Sequence, residues 1–175
     1  MNLELKHLAP YLPYELDFIT QSGKVFKSQT KDDFEIRIFK WNSPNGNKQY
    51  HSLTLGKINR GEFKPLLRPL SDLTENINLH DNFFAIPIEN MTGYKLEGNI
   101  SDAPTTVQHL YGCSKGKIEA KFLDYWVIVQ LLEWHFDIFG LIEKGLAINY
   151  NEIHKDNKDD LHDDTFDFNK RFMPE

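Results

Sequence analysis

Residues 121–148 read KFLDYWVIVQLLEWHFDIFGLIEKGLAI, and this stretch decides the predicted fold. It is the longest apolar segment of the chain. Its polar residues Gln130, Glu133 and Asp137 are spaced by three and four positions, which places them on one stripe of a helix. We therefore expect one long helix over residues 117–139, enclosed by apolar neighbours on its other faces.

The polar stripe has two interpretations. On a core helix such a stripe is most often the solvated side and has no further role. The alternative is an interaction surface, and on that interpretation Gln130, Glu133 and Asp137 are candidate partner-binding residues.

The segment Glu133–Asp137 (EWHFD) combines a histidine with two carboxylates, as metal sites often do. Helical geometry opposes a metal site here, because residues two apart on a helix point about 200° away from each other. A ligand pair needs the i and i+4 spacing of HExxH. We expect His135 to be a buried, hydrogen-bonded helix residue, and we expect no metal and no other cofactor.

The best strand pattern lies near the N-terminus, where apolar and charged residues alternate over residues 34–38. An Asn-Gly pair at 45–46 favours a tight turn, so residues 33–55 are predicted to form a β-hairpin. A short helix is predicted over 72–79. The fold class is α+β: a small antiparallel sheet packs against the long C-terminal helix, with short helices at the periphery.

The net charge of −6 is unevenly distributed. Residues 121–175 carry 6 Lys and Arg against 12 Asp and Glu, which supplies the whole of it. Direct binding of nucleic acid needs clustered cations and is not expected, whereas a basic protein surface would be complementary. Composition changes after Ile148, so we expect one globular domain over 1–148 and an acidic, partly ordered tail over 149–175.

The tail supplies four more candidate partner-binding residues, Asp159, Asp160, Asp163 and Asp164. Together with His154, Asp156 and His162 they are also the densest group of potential metal ligands. A calcium loop needs a central Gly and a terminal Glu, and both are missing. A solvated acidic tail is therefore the main interpretation, and weak divalent-ion binding is the alternative.

The familiar catalytic signatures GxxxxGK[ST], GxSxG and CxxC are absent from the sequence. Residues 112–117 (GCSKGK) superficially resemble a phosphate loop that would open the long helix, but the spacing fails and a flexible turn is the main interpretation. The single cysteine, Cys113, indicates a reducing compartment. No apolar run reaches the roughly 20 residues of a membrane span. The prediction is a non-enzymatic cytoplasmic protein.

Three segments are distinctive in combination: residues 8–14 (LAPYLPY), residues 67–73 (LRPLSDL) and residues 133–148 (EWHFDIFGLIEKGLAI). They resemble a family of small, uncharacterised proteins encoded by phages and prophages of the Bacteroidetes. Order and spacing agree over nearly the whole chain, and residues 92–120 and those after Tyr150 match less. The family has no assigned activity or catalytic residues, so none is carried over.

The resemblance implies a phage context, in which small acidic proteins without cofactors often bind host machinery. The leading hypothesis is a non-catalytic inhibitor of host defence, an anti-CRISPR protein that contacts an RNA-guided nuclease effector with or without its guide RNA. The first alternative is a phage replication, packaging or morphogenesis accessory that binds another phage protein. The second is a small metal-dependent enzyme that uses the tail. The sequence indicates no oligomeric state.

Overall fold

A six-stranded mixed sheet organises the fold. The computed structural model describes residues 3–30, 36–42, 47–80 and 83–153, and every structural statement below concerns those residues. The sheet has the spatial order β4-β3-β2-β1-β5-β8, and β6 and β7 form a separate antiparallel pair. The strands are β1 Asp17–Thr20, β2 Val25–Thr30, β3 Ile36–Asn42, β4 Asn47–Ser52, β5 Phe63–Leu67, β6 Ile77–His80, β7 Phe83–Ala85 and β8 Ile148–Asn149.

The predicted hairpin over 33–55 is confirmed in its strands, since β3 and β4 pair antiparallel with Ile38 opposite His51. Its turn at 43–46 and residues 33–35 lie outside the described residues. The expectation of a purely antiparallel sheet is wrong at one edge, where β8 pairs parallel to β5. The chain returns to that edge after a long crossover through the helices, and a crossover of this kind brings the new strand in parallel.

Short α-helices accompany the sheet: α1 Leu5–Leu8, α2 Leu55–Asn59, α3 Pro87–Thr92, α4 Thr105–Ser114 and α5 Tyr125–Glu133. Residues 150–153 are also helical. Single 3₁₀ turns at Leu12–Tyr14, Leu70–Thr74, Ile100–Asp102 and Ala120–Phe122 connect them. The predicted helix over 72–79 is wrong, because the 3₁₀ turn at Leu70–Thr74 is followed by β6. No helix in the described part of the chain has the length and apolar character needed to cross a membrane.

The prediction of one long helix over 117–139 is also wrong. Residues 120–122 form a 3₁₀ turn, and α5 occupies only the middle of the predicted span. The chain reverses at His135, whose φ is +60°. Apolar residues continue beyond this point, but they pack on both sides of a turn and not along one helix.

A Schellman motif ends α5. The N–H of His135 donates to the carbonyl of Leu132 at 3.0 Å, and the N–H of Phe136 donates to the carbonyl of Leu131 at 2.8 Å. These two bonds close the last turn around a residue in the left-handed conformation. In α2 and α4 the same position is glycine, Gly61 and Gly116. Here a histidine occupies it.

Helix α5 joins two apolar clusters. Its Leu132 packs with Leu8, Tyr11, Leu16 and Phe18 on the sheet side. Its Val127 and Leu131 belong to a second cluster with Val107 and Leu110 of α4, Phe136 after the turn, and Leu73 of the 3₁₀ turn Leu70–Thr74. Burial of each of these side chains stabilises the fold by about 1.5–3 kcal/mol, and this fixes α5 between the two apolar clusters.

The first residues of the predicted tail belong to the folded structure. Asn149 lies in β8, opposite Leu67 of β5. The Nδ2 of Asn151 donates to both carboxylate oxygens of the buried Asp72, at 3.1 and 3.0 Å. Residues 154–175 lie outside the described part of the chain.

Candidate functional site

The three segments quoted above, residues 8–14, 67–73 and 133–148, meet in space next to the turn that ends α5. The Tyr11 hydroxyl donates to the Phe136 carbonyl at 2.8 Å. The Arg68 N–H donates to the His135 carbonyl, and the Asp137 N–H donates to the Arg68 carbonyl, each at 2.8 Å. The latter two bonds form an isolated parallel bridge between Arg68 and Phe136. The turn is therefore tied to two distant parts of the chain.

A polar pocket of about 520 Å³ opens beside this junction. We call it the Arg68 pocket and define it by six of its polar lining side chains, which are Asp17, Lys27, Arg68, Asn78, Glu133 and His135. They come from β1, β2, β6, the segment after β5 and the end of α5. Its volume lies within the range of about 300–1,000 Å³ typical of small-ligand sites.

Arg68 is held on several sides. Its Nη2 donates to the Asn78 carbonyl at 2.7 Å. Its guanidinium lies over the Tyr150 ring, with Cζ 4.3 Å from the ring centroid, a cation–π geometry. Burial lowers the pKa of Arg68, while Tyr150, Asp72 and Asp17 act against that shift. These contacts fix the Arg68 side chain at the wall of the pocket, and the neighbouring acidic groups offset part of the cost of burying its charge.

Two acceptor atoms at this pocket are buried without a partner. No described residue hydrogen-bonds to the Asp17 Oδ1 or to the Asn78 Oδ1. Burial raises the pKa of Asp17 and Glu15 adds to the rise, whereas Lys27 and Arg68 oppose it. Unpartnered buried polar atoms are rare and destabilising, but these two atoms have almost no accessible surface, so they lie behind the pocket wall and do not face the pocket itself.

Both non-glycine residues with positive φ in the described structure line this pocket. They are Glu15, with φ +55°, and His135, with φ +60°. The two segments are joined by a hydrogen bond of 2.8 Å between His135 Nε2 and the Tyr14 carbonyl. Left-handed non-glycine residues cost roughly 1–3 kcal/mol each and cluster at functional sites. Both residues also end a helical turn, so the left-handed conformation has a local structural cause, and the pocket lies where two such turn ends meet.

The structure separates the residues predicted to share a polar stripe. Glu133 is exposed and accepts from Gln130 Nε2 at 3.0 Å, so these two are neighbours on α5. Asp137 is only 6% exposed and lies beyond the helix. Its two carboxylate oxygens accept the N–H groups of Leu141 and Ile142 at 2.8 and 2.7 Å. A shared exposed stripe that includes Asp137 is therefore wrong.

The prediction for His135 is confirmed in one part and wrong in another. It is hydrogen-bonded and half-buried, but it lies in the turn and not in a helix. Among the described residues no three His, Cys, Asp or Glu side chains are grouped so as to hold a metal ion. The predicted partner-binding residues Asp159, Asp160, Asp163 and Asp164 lie outside the described part of the chain.

Residues 112–117 do not open a helix. They end α4, and Gly116 has φ +66° in the closing turn. Helix C-termini present carbonyl groups, so a phosphate loop is excluded by the direction of α4. Cys113 is buried here, and burial raises the pKa of its thiol to about 11. A thiol with that pKa is almost wholly protonated at neutral pH and is a poor nucleophile.

A second feature lies at the opposite end of α5. Phe122, Tyr125 and Trp126 expose 63%, 81% and 51% of their surface within five consecutive residues. We call these three side chains the aromatic patch. Leu123 lies within the same segment and Val127 directly follows it, and both are buried in the second apolar cluster. The sequence interpretation treated all these apolar residues as core, because a helix enclosed on most faces has no reason to separate them.

Sequence reasoning missed Asp17, Arg68, Asn78 and Tyr150 as site residues. Each is isolated in its local sequence, and only the three-dimensional junction brings them together. One signal was present: Arg68 lies inside residues 67–73, and Tyr14 ends residues 8–14, two of the three segments that carry the resemblance.

Comparison with known proteins gives no relative: no family model, curated protein or solved structure matches the chain.

Proposed function

We propose that the protein is a non-catalytic protein-binding inhibitor and that the aromatic patch is the centre of its interface. The observation that carries the proposal is the exposure of Phe122, Tyr125 and Trp126 within five residues. Large exposed aromatic side chains mark interaction surfaces. Trp and Tyr are also the residues most enriched among those that contribute most to binding energy.

The backbone beneath the patch is anchored in the core, which favours binding. Leu123 and Val127 anchor the same segment in the core. Asp124, between the exposed aromatic residues, accepts from the Thr106 hydroxyl of α4 at 3.3 Å. Because the backbone is fixed before a partner arrives, little conformational entropy is lost on association.

Charge indicates the kind of partner. The patch lies in residues 121–175, the part of the chain that carries the whole net charge of −6. A partner with a basic surface built for nucleic acid would be complementary. With the phage resemblance, this makes an RNA-guided CRISPR nuclease effector, with or without its guide RNA, the leading partner. Inhibition would then occur in the host cytoplasm, through contact with protein and not with nucleic acid.

The test is co-purification with, and inhibition of, purified CRISPR effectors of Bacteroidetes hosts. We expect Tyr125→Ala with Trp126→Ala to weaken binding by about tenfold or more, since each truncation at a central aromatic residue costs more than about 1 kcal/mol. Nuclease inhibition should fall in parallel. The matched control removes two exposed aromatic residues elsewhere, Phe83→Ala with Phe84→Ala in β7, and should leave binding unchanged.

Two further variants separate the earlier candidates. Removal of residues 154–175 tests Asp159, Asp160, Asp163 and Asp164, and Gln130→Ala with Glu133→Ala tests the α5 residues. If the Tyr125/Trp126 double variant binds as tightly as the native protein, the aromatic patch is not part of the interface. If no effector binds and a phage replication, packaging or morphogenesis protein does, the accessory alternative replaces the inhibitor.

A further inference from the structure

A second pocket, of about 640 Å³, opens at the C-terminal end of α4. We call it the α4 pocket. Its apolar lining consists of five partly exposed residues from three parts of the chain, which are Leu70, Ile118, Ile138, Phe139 and Ile142. Exposed apolar residues that surround one concavity are typical of a binding surface. The volume lies within the range of pockets that hold largely apolar ligands.

The rim of the α4 pocket is acidic. Glu119, Asp137 and Glu143 line it, against one cation, Lys121, which already pairs with Glu119 at 2.7 Å. The last turn of α4 also lines the pocket, and the C-terminal end of a helix carries a partial negative charge. A complementary occupant is therefore apolar and carries cations beside its apolar side chains.

One segment of this chain has that composition. Residues 165–173 read TFDFNKRFM, with three phenylalanines, one methionine and the adjacent cations Lys170 and Arg171. The preceding residues 154–164 contain five aspartates and a single apolar residue, Leu161. Aromatic side chains gain free energy by leaving water, and an acidic stretch offers them little to pack against. The segment therefore needs an apolar surface elsewhere in the molecule.

The last described residues lie beside the α4 pocket. Asn151 is hydrogen-bonded to Asp72, at 3.0 and 3.1 Å, and Ser71, the residue before Asp72, lines the pocket. Fifteen residues separate Asn151 from Phe166, and they can span at most about 50 Å. A domain of this size has a radius of gyration of about 15 Å. The chain is therefore long enough to place residues 165–173 in the pocket.

We propose that residues 165–173 occupy the α4 pocket of their own chain. The phenylalanine side chains pack on its apolar lining, and Lys170 and Arg171 lie at its acidic rim. A short tether holds such a segment at an effective concentration of about 1 mM. A segment whose free peptide binds with a Kd of about 100 µM is then docked about ten times more often than it is released.

Docking joins the acidic tail to the aromatic patch. Ala120 and Lys121 line the pocket, and Phe122, the first residue of the patch, follows them directly. Residues 152–164 then form a loop whose two ends both lie at the pocket, and this loop contains the four aspartates predicted to bind a partner. The acidic and aromatic residues become one surface. This consequence, unlike the docking itself, rests on the proposed function.

Hydrogen exchange of the full chain, measured by mass spectrometry, tests the docking. The variant is Phe166→Ala with Phe168→Ala and Phe172→Ala. Amides in residues 118–121 and 138–142 should exchange about tenfold more slowly in the native protein than in this triple variant, because the docked segment shields them from water. Exchange in β1, which does not line the α4 pocket, should be the same in both proteins.

A matched control and a second readout accompany this experiment. Asn157→Ala with Lys158→Ala changes the tail outside the segment and should exchange like the native protein. A synthetic peptide of residues 164–175 should bind the triple variant in calorimetry with a Kd of about 100 µM or less. It should bind the native protein about tenfold more weakly, because the pocket there is already filled. The same peptide with its three phenylalanines replaced by alanine should not bind.

Equal exchange at the pocket in the native protein and the triple variant would overturn the proposal, as would absence of peptide binding to that variant. Slower exchange that depends on protein concentration would place the segment in a second copy of the chain. Slower exchange only with an added CRISPR effector would assign the pocket to the partner, and each result would overturn docking within one chain. Tyr125→Ala with Trp126→Ala should leave exchange at the pocket unchanged, so failure of the aromatic interface is distinguishable from failure of the docking.

Discussion

At the scale of single residues, His135 occupies a position that is glycine at the ends of α2 and α4. Gly61 and Gly116 end α2 and α4 in the same left-handed conformation. A side chain there is disfavoured by roughly 1–2 kcal/mol because its Cβ approaches the following carbonyl. The histidine compensates through its Nε2 bond to the Tyr14 carbonyl, which also fixes one wall of the Arg68 pocket.

Substitution at His135 separates these two effects. His135→Ala and His135→Gly both lose the bond to Tyr14, but only the alanine keeps the left-handed strain. We expect the glycine variant to be more stable by about 1 kcal/mol, measured by urea unfolding.

The opposite order is expected at Gln130, inside α5, where glycine is less favourable than alanine by about 1 kcal/mol. If His135→Ala were as stable as His135→Gly, the left-handed turn would not persist in solution.

At the scale of elements, the end of α5 shows what local sequence predicts and what it does not. The spacings of three and four among Gln130, Glu133 and Asp137 match a helix, and the first two residues do share one. Asp137 keeps the spacing by coincidence, because the backbone is diverted at His135 by bonds to Arg68. No pattern in the sequence around residue 135 indicates that the backbone there hydrogen-bonds to Arg68. The hairpin of β3 and β4 was predictable because its determinants are all local.

Asp137 and Glu133 should therefore respond very differently to truncation. Asp137→Ala removes two charge-assisted bonds and leaves the N–H groups of Leu141 and Ile142 unpaired. We expect a loss of about 2–4 kcal/mol in the free energy of unfolding. Glu133→Ala, at an exposed position, should change it by less than about 0.5 kcal/mol. If thermal or chemical unfolding showed equal effects for the two variants, Asp137 and Glu133 would share one exposed stripe after all.

At the scale of the whole molecule, the Arg68 pocket joins parts of the chain that local reasoning treats separately. Its lining residues come from positions as distant as Tyr14 and Tyr150. The apolar pattern predicts that a core exists and that the chain is α+β. It does not predict which polar residues the junction of three segments will gather, because that depends on the crossover to β8.

The pH dependence of stability should reflect the raised pKa of Asp17, which lines this pocket. Burial raises the pKa of Asp17 and of Asp72. A carboxyl whose pKa is higher when folded binds its proton more tightly in the folded state. Its contribution to stability therefore falls as the pH rises from the ordinary carboxyl pKa of about 4 through the raised value. Asp17 thus destabilises the protein at neutral pH.

Asp17→Asn removes that contribution. The free energy of unfolding of the Asp17→Asn variant, relative to that of the native protein, should be greater at pH 7 than at pH 3.5. Urea unfolding at both pH values measures this difference. Glu97→Gln provides the comparison, since Glu97 is exposed. A relative stability that is constant with pH, or greater in acid, would contradict the raised pKa of Asp17.

The parallel pairing of β5 with β8 has a consequence for the protein during its synthesis. Leu66 pairs with Ile148, so one edge of β5 stays open until the ribosome has added about 80 more residues. At about 5–20 residues per second this takes roughly 4–16 s. An open strand edge is a template for pairing with other chains. We therefore expect the nascent polypeptide to be accessible to chaperones during that interval, and the speed of translation to affect its yield.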